Sequence, residues 1–256
     1  MTSTNCYSNY DHWASMYDEE QLKNQGYEII ISQLDKILLK YLPEDANILD
    51  LCCGTGQVAK RLFSKGYRVI GIDNSEEMLH CAQKNVPEIE FILNDARYFK
   101  LPAKFHAVIS TNASLSFVLS LDELKRVFQN VYIALLENGL FMFDLHLGEN
   151  YELITVEDNE SYISDTNVRV GRWTYDTQSK LGKGEFTRFQ IVNGMWQRLD
   201  WTSLFKAYTA KEIEFSLEKI GFTEVSFHYL KQDLGIEEIG VWDGRACVVC
   251  RKFISK

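Results

Sequence analysis

The spacing of apolar residues changes period several times along the chain, and each change marks an element. From Tyr27 to Leu42 the apolar positions recur three or four apart until Pro43 stops them, which predicts a helix. Ile48-Leu-Asp-Leu reads as a short buried strand, and it runs into the turn Cys52-Cys-Gly-Thr-Gly56. Helical spacing returns over Gln57–Lys65 and ends at Gly66, and Arg68–Ile72 is again strand-like. Ser75 is placed to cap a helix over Glu76–Lys84, whose two leading glutamates suit the positive end of the helix dipole. Glu90–Leu93 and His106–Ser110 read as further strands. Ser120-Leu-Asp-Glu123 has the form of a capping box opening a helix through Leu136. Asn138-Gly139 would stop that helix, and Leu140–Leu145 follows as a fifth strand. Strand and helix thus alternate from about residue 46 to 145. Such crossovers are right-handed and give a parallel sheet covered by helices on both faces.

After Glu149 the helical period disappears. Val168–Tyr175, Gly184–Val192 and Met195–Phe205 are short β-like runs separated by Gly, Lys and Asn, which predicts antiparallel strands. Thr209-Ala-Lys-Glu212 is a second capping box, opening a helix that ends at Gly221. Glu224–Leu230 and Ala246–Phe253 then read as two final strands. The expected organisation is one α/β domain, residues 1–149 and 209–256, interrupted by an antiparallel β insertion at 150–208.

Composition bounds the partners. The 256 residues carry a net charge of −9 and a pI near 5.1, so a broad nucleic-acid or anionic-membrane surface would be repelled. No apolar run approaches the ~18–20 residues of a membrane-spanning helix. The opening MTSTNCYSNYDHW has neither a basic nor an apolar leader region, so a cytoplasmic location with reduced cysteines is expected. Cys247-Val-Val-Cys250 has a metal-like spacing, but it lies in a strand-like run. Side chains three apart on a strand point to opposite faces, so packing is the expected role and no metal is expected.

The chemistry concentrates at the tips of the first strands. A strand delivers the chain into Gly54-Thr-Gly56 and a helix follows at once, which brings backbone and free N–H groups close to a ligand. Asp73 stands at the tip of the next strand, where a carboxylate can accept from both hydroxyls of a ribose. With Asp50 and Asp95 it forms a row of acids at one end of the sheet, which defines a crevice. A dinucleotide would want a third glycine where Ala59 stands, and Asp50 would oppose its pyrophosphate. The same acid suits a ligand carrying an ammonium and a sulfonium, which points to S-adenosylmethionine.

At these residues the sequence resembles the class I S-adenosylmethionine-dependent methyltransferases, in their small-molecule branch. Ile48–Gly56 is similar to the family's first motif, Val69–Leu79 to its second and Asn94-Asp-Ala96 to its third-strand motif. Tyr10-Asp-x-x-Ala-x-x-Tyr17-Asp resembles its short N-terminal motif. The resemblance implies a Rossmann-like, seven-stranded, mostly parallel sheet with an antiparallel last strand. It implies that Cys52–Gly56 cradles the methionine part, with Asp50 assisting the amino group. Asp73 would hold the ribose, Asn74 and Met78 would border ribose and adenine, and Asp95 and Ala96 would meet the adenine. Carbonyls near Thr111 and Asn112 would reach the ammonium, with Tyr17 over the carboxylate. S-adenosylhomocysteine is the implied product.

Methyl transfer chiefly requires alignment in a dry pocket, and a base near an amine or hydroxyl acceptor can take up its proton. His146 and Asp144, at the end of the fifth strand, are the candidates for that base or for a substrate anchor, or else loop residues held by hydrogen bonds. The insertion carries nine aromatics between Tyr151 and Phe205, which fit either a substrate lid or the small sheet's own core plus a homodimer contact. As a lid, Tyr175 and Trp196 would face the acceptor and Arg172, Arg188 or Arg198 would meet an anionic group. The expected function is methylation of a small molecule at nitrogen or oxygen. A non-catalytic binder of the cofactor or its product, using the aromatic insertion as a protein interface, is the rival reading.

Overall fold

The changes of period become two sheets in the computed structural model, which describes residues 14, 17, 26–151, 157–229, 233 and 245–253. Of the N-terminal motif only Ala14 and Tyr17 are described; Cys6, Tyr10, Asp11, His12 and Asp18 lie outside the described residues. The first helix, α1 (Gly26–Ile37), leads through a 3-10 turn at Leu39–Tyr41 to β1 (Asn47–Leu51). There follow α2 (Gln57–Ser64), β2 (Arg68–Asp73), α3 (Glu76–Asn85), β3 (Glu90–Leu93) and β4 (Phe105–Ser110). Next come α4 (Leu121–Ala134), β5 (Leu135–His146) and one helical turn, α5 (Gly148–Tyr151). After the insertion, α6 (Ala210–Ile220), β10 (Phe222–Tyr229) and β11 (Arg245–Lys252) complete the domain.

The seven-stranded sheet has the order β10-β11-β5-β4-β1-β2-β3. Neighbours among β1 to β5 pair in parallel. The last strand, β11, runs antiparallel to both β5 and β10. Alternation along each strand feeds two separate cores. Leu49, Val108, Phe141, Phe143, Val248 and Cys250 pack under α4 and α6, whereas Ile48, Ala107, Met142, Cys247 and Val249 pack under α1 and α2. Cys247 and Cys250 thus sit in opposite cores, as period-two geometry requires. Phe141 and Phe143 stack at 4.6 Å and meet Phe128 at 6.0 and 5.3 Å. Truncating one such ring costs about 3–5 kcal/mol.

Two local expectations are corrected. The Ser120 side chain makes no capping bond, and the carboxylate of Glu123, the other half of the expected box, is ion-paired with Arg97 at 3.1 Å. The helix also stops at Ala134 rather than Leu136, since Leu135 already pairs with Phe105 across the sheet. Asn138 then takes a left-handed φ of 63° where the register shifts. The Thr209 box forms in full, with Glu212 bonding back to the Thr209 N–H.

The insertion is a four-stranded antiparallel sheet in sequence order, β6 (Glu157–Ile163), β7 (Asn167–Asp176), β8 (Leu181–Val192) and β9 (Met195–Lys206). One face carries its own small core of Trp173, Phe186 and Phe205, packed on Ala207 and against Phe117 of the main domain. Trp173 meets Phe186 edge-on at 5.1 Å. Among the described residues, no helix is long and apolar enough to cross a membrane.

Candidate functional site

Every tight element of the site is a turn at the C-terminal end of a parallel strand. After β1, Cys52 takes a left-handed φ of 62° and the Cys53 N–H returns to the Ile72 carbonyl at 2.9 Å. The chain then passes beneath Asp73. One carboxylate oxygen of Asp73 accepts from the Gly54 N–H at 2.8 Å and the other from the Ser75 N–H at 3.0 Å. These bonds use part of the four acceptor positions of a carboxylate and fix it between two turns. Gly56 caps α2 with φ 73°, and a Cβ there would lie 2.9 Å from the Phe91 ring. Only glycine meets both demands without displacing α3 or β3. Ser75 caps α3 by accepting from the Met78 N–H at 3.1 Å.

Asp95 follows β3 and is clasped by Arg97. Its Oδ1 accepts from the Arg97 backbone at 2.8 Å and from Nε at 2.9 Å, while Oδ2 accepts from Nη2 at 2.6 Å. Burial alone would raise its pKa, but these hydrogen bonds outweigh it and hold the carboxyl below its usual range. One acceptor position on Oδ2 is left for a further donor.

After β4 the backbone makes a strained turn. Asn112 and Ala113 both take left-handed conformations, φ 61° and 53°. Asparagine tolerates this, but alanine pays about 1–2 kcal/mol. The turn is held by the Ser114 hydroxyl on the Thr111 carbonyl at 2.8 Å and by the Ala113 N–H on Asp144 Oδ2 at 2.9 Å. Asn112 donates to the Tyr17 hydroxyl at 2.9 Å, tying the N-terminal region to the same turn.

These turns surround a crevice of about 1010 Å³, counted to its open mouth. Tyr17, Cys52, Gly54, Asp73, Asn74, Met78, Asp95, Ala96, Thr111 and Asn112 all line it. Asp50 and Gly56 do not; they lie behind the turn, Gly56 as the helix cap and Asp50 with 1% exposure. Asp50 Oδ2 has no hydrogen-bond partner among the described residues. Its burial, and then the charge of Asp73, push its pKa up to about 7. Burial likewise pushes both Cys52 and Cys53 thiols well above their usual range.

The residues expected to do acid–base work stand elsewhere. Asp144 is 4% exposed and ion-paired with Arg245 at 3.0 Å. Burial raises its pKa, against the pull of Arg245. His146 is 1% exposed, and its ring lies 4.3 Å from that of Phe205. Burial, followed by the charge of Arg245, holds it well below the usual histidine range. Among the described residues no histidine lines the crevice.

In the insertion, Tyr175 is half-buried, stacks on Phe205 at 6.3 Å and joins the core that meets Phe117. Trp196 is 53% exposed, and Arg198 is bonded to Asp200 at 2.9 Å. Both are an odd number of residues from the core-facing Trp201, so they occupy the other face of the sheet, as Arg172 does relative to Trp173. Arg188 shares the core face and bonds Asn167 at 3.0 Å.

Tyr27, Val58, Arg97, Ser114, Phe117 and Val118 also line the crevice and were not singled out by sequence. Arg97 had a signal, two residues beyond an acid at a strand tip. Phe117 ends a 3-10 turn, Ser114–Phe117, and Val118 caps it, in a stretch with no motif.

A family model described as "Methyltransferase domain" matches residues 48–139. The Bacillus subtilis (strain 168) protein named "Putative methyltransferase YqeM" is 32% identical over 227 residues, 83% of this chain and 86% of that protein. The dTDP-3-amino-3,4,6-trideoxy-alpha-D-glucopyranose N,N-dimethyltransferase of Streptomyces venezuelae is 31% identical over 115 residues, 44% of this chain and 48% of the relative. Among solved structures, SAM-bound CalS10, an amino pentose methyltransferase from Micromonospora echinaspora, aligns with a TM-score of 0.72 at 18% identity. The alignment covers 91% of this chain and 95% of that one.

Proposed function

Because the chain belongs to the class I S-adenosylmethionine-dependent methyltransferases, we propose that it methylates a nitrogen of a small-molecule acceptor. The observation that carries the reading is Asp73, fixed by two backbone N–H groups at the floor of the crevice where a nucleoside's vicinal hydroxyls need an acceptor. The choice of nitrogen is supported by the Streptomyces venezuelae relative, which acts on an amino sugar nucleotide.

The cofactor is S-adenosylmethionine. Its fit to this chain is tested by the donors and acceptors present. Asp73 would hold the ribose, and the remaining acceptor position of Asp95 matches one adenine amino hydrogen, with the Ala96 N–H toward the ring. Asn74 and Met78 would border the sugar and base. The turns Cys52–Gly56 and Thr111–Asn112 would frame the methionine part, with Tyr17 over its carboxylate. The buried carboxylate of Asp50 lies behind that turn with an oxygen lacking a hydrogen bond, a setting that favours a cationic ligand in front of it. When bound, S-adenosylmethionine supplies a methyl carbon activated on a sulfonium.

The protein's share of the chemistry is orientation and exclusion of water. Phe117 and Val118 line the crevice and the insertion's aromatic core packs on Phe117, which supports a lid role for the insertion over the acceptor. A neutral amine attacks through its own lone pair and needs no base beforehand. This agrees with Asp144 and His146 lying behind the wall.

The test is transfer of labelled methyl from S-adenosylmethionine to pools of small primary and secondary amines, including amino sugar nucleotides. Label in the acceptor with matching S-adenosylhomocysteine is expected. Cofactor binding with no transfer to amines or hydroxyl compounds would sink the enzymatic reading and leave a binding protein.

A further inference from the structure

We propose that Asp144, held by Arg245, is a positioning residue that sets the methionine end of the cofactor site. This rests on the reading that the crevice takes S-adenosylmethionine. Asp144 touches no ligand-facing surface. It acts through Ala113, whose N–H it accepts at 2.9 Å. That bond fixes the second of two consecutive left-handed residues, a conformation alanine does not hold unaided. The residues on either side, Asn112 and Ser114, line the crevice.

The same carboxylate oxygen that holds Ala113 also accepts from Arg245 Nη1 at 3.0 Å. Arg245 opens β11, directly beside the end of β5, with Arg245 opposite His146 in the register. The guanidinium therefore reaches the turn from the strand laid down last in the sheet. The side chains of both partners are almost wholly buried, 6% and 12% exposed. The other oxygen of Asp144 is buried with no hydrogen-bond partner among the described residues. A buried unpaired acceptor opposes folding. The geometry nonetheless spends everything on one oxygen, the one that grips the turn.

Two ligands separate positioning from general support. S-adenosylhomocysteine has the amino-acid end that the turn would meet, and 5′-methylthioadenosine lacks it while keeping the ribose and adenine. In calorimetric titrations, Asp144→Ala is expected to weaken S-adenosylhomocysteine about tenfold, the effect of one hydrogen bond to a charged group, with methylthioadenosine changed less than about twofold. Asp144→Asn keeps an oxygen able to accept from Ala113 and is expected to restore most of the affinity. Should Asp144→Ala fail to fold, Arg245→Met is expected to show the same split between the ligands. Equal losses for both ligands, or unchanged affinity for S-adenosylhomocysteine, would overturn the proposal while leaving the cofactor reading intact. A wild-type protein that binds neither ligand would overturn both.

Discussion

Asp50 offers a direct measure of how the sheet's interior treats charge. Burial, and then the Asp73 carboxylate, raise its pKa from 3.8 to about 7. A carboxyl raised in this way contributes stability that is fully present below its unfolded pKa and is lost as pH rises through the folded one. Between pH 5 and pH 8 the loss from this group comes to about 2–3 kcal/mol, because each pKa unit is worth about 1.4 kcal/mol. His146 works the other way. Its pKa is held well below 6.5 by burial and then by Arg245, so the fold gains stability as pH rises toward 6.5. The wild-type pH profile therefore mixes two opposed slopes. Asp50→Asn isolates one of them, since His146 is common to both proteins and any fixed cost of the buried amide drops out of the slope. Chemical denaturation without cofactor at pH 5, 6.5 and 8 should show the wild type losing about 2–3 kcal/mol relative to the variant. A difference that does not change with pH would mean that Asp50 ionises like an exposed carboxyl, and the argument from burial would fall.

Two further outcomes follow from the geometry. Asp73→Ala should weaken S-adenosylhomocysteine binding by about 1–3 kcal/mol through lost ribose hydrogen bonds, read by calorimetry; unchanged affinity would remove Asp73 from the site. Gly182→Ala should loosen the insertion, because a Cβ there would lie 1.9 Å from the Phe205 ring. Overpacking of this kind costs about 1–3 kcal/mol, so a lowered melting temperature is expected, and an unchanged one would show that Phe205 can yield.

Much of this was legible in the chain because the fold depends on periods. Buried parallel strands read as short apolar runs, and the acids at their tips stand where a crevice must open. The two-residue period also separates Cys247 from Cys250 without coordinates. What could not be read was register. In the insertion, one residue of slip exchanges the faces, so sequence could not say that Tyr175 faces the small core while Trp196 and Arg198 face away. Nor could it see competition between partners. Glu123 matches a capping box as well as it matches Arg97, and only the fold puts Arg97 within 3.1 Å. Asp144 and His146 were placed correctly at a strand end, but the inward turn of both side chains depends on β11, which the local sequence does not announce.

The position of β11 has a consequence for how the molecule is made. It lies between β5 and β10 rather than at a rim. A ribosome releases Asp144 long before Arg245, its partner 101 positions later. Until then β5 is an open edge, a template on which a neighbouring nascent chain can pair. The strands carrying Asp50 and Asp73 can assemble early, yet the turn gripped by Asp144 acquires its counter-charge only when the final strand is threaded into place. An interrupted translation product would therefore carry an open strand edge and an Asp144 without its counter-charge.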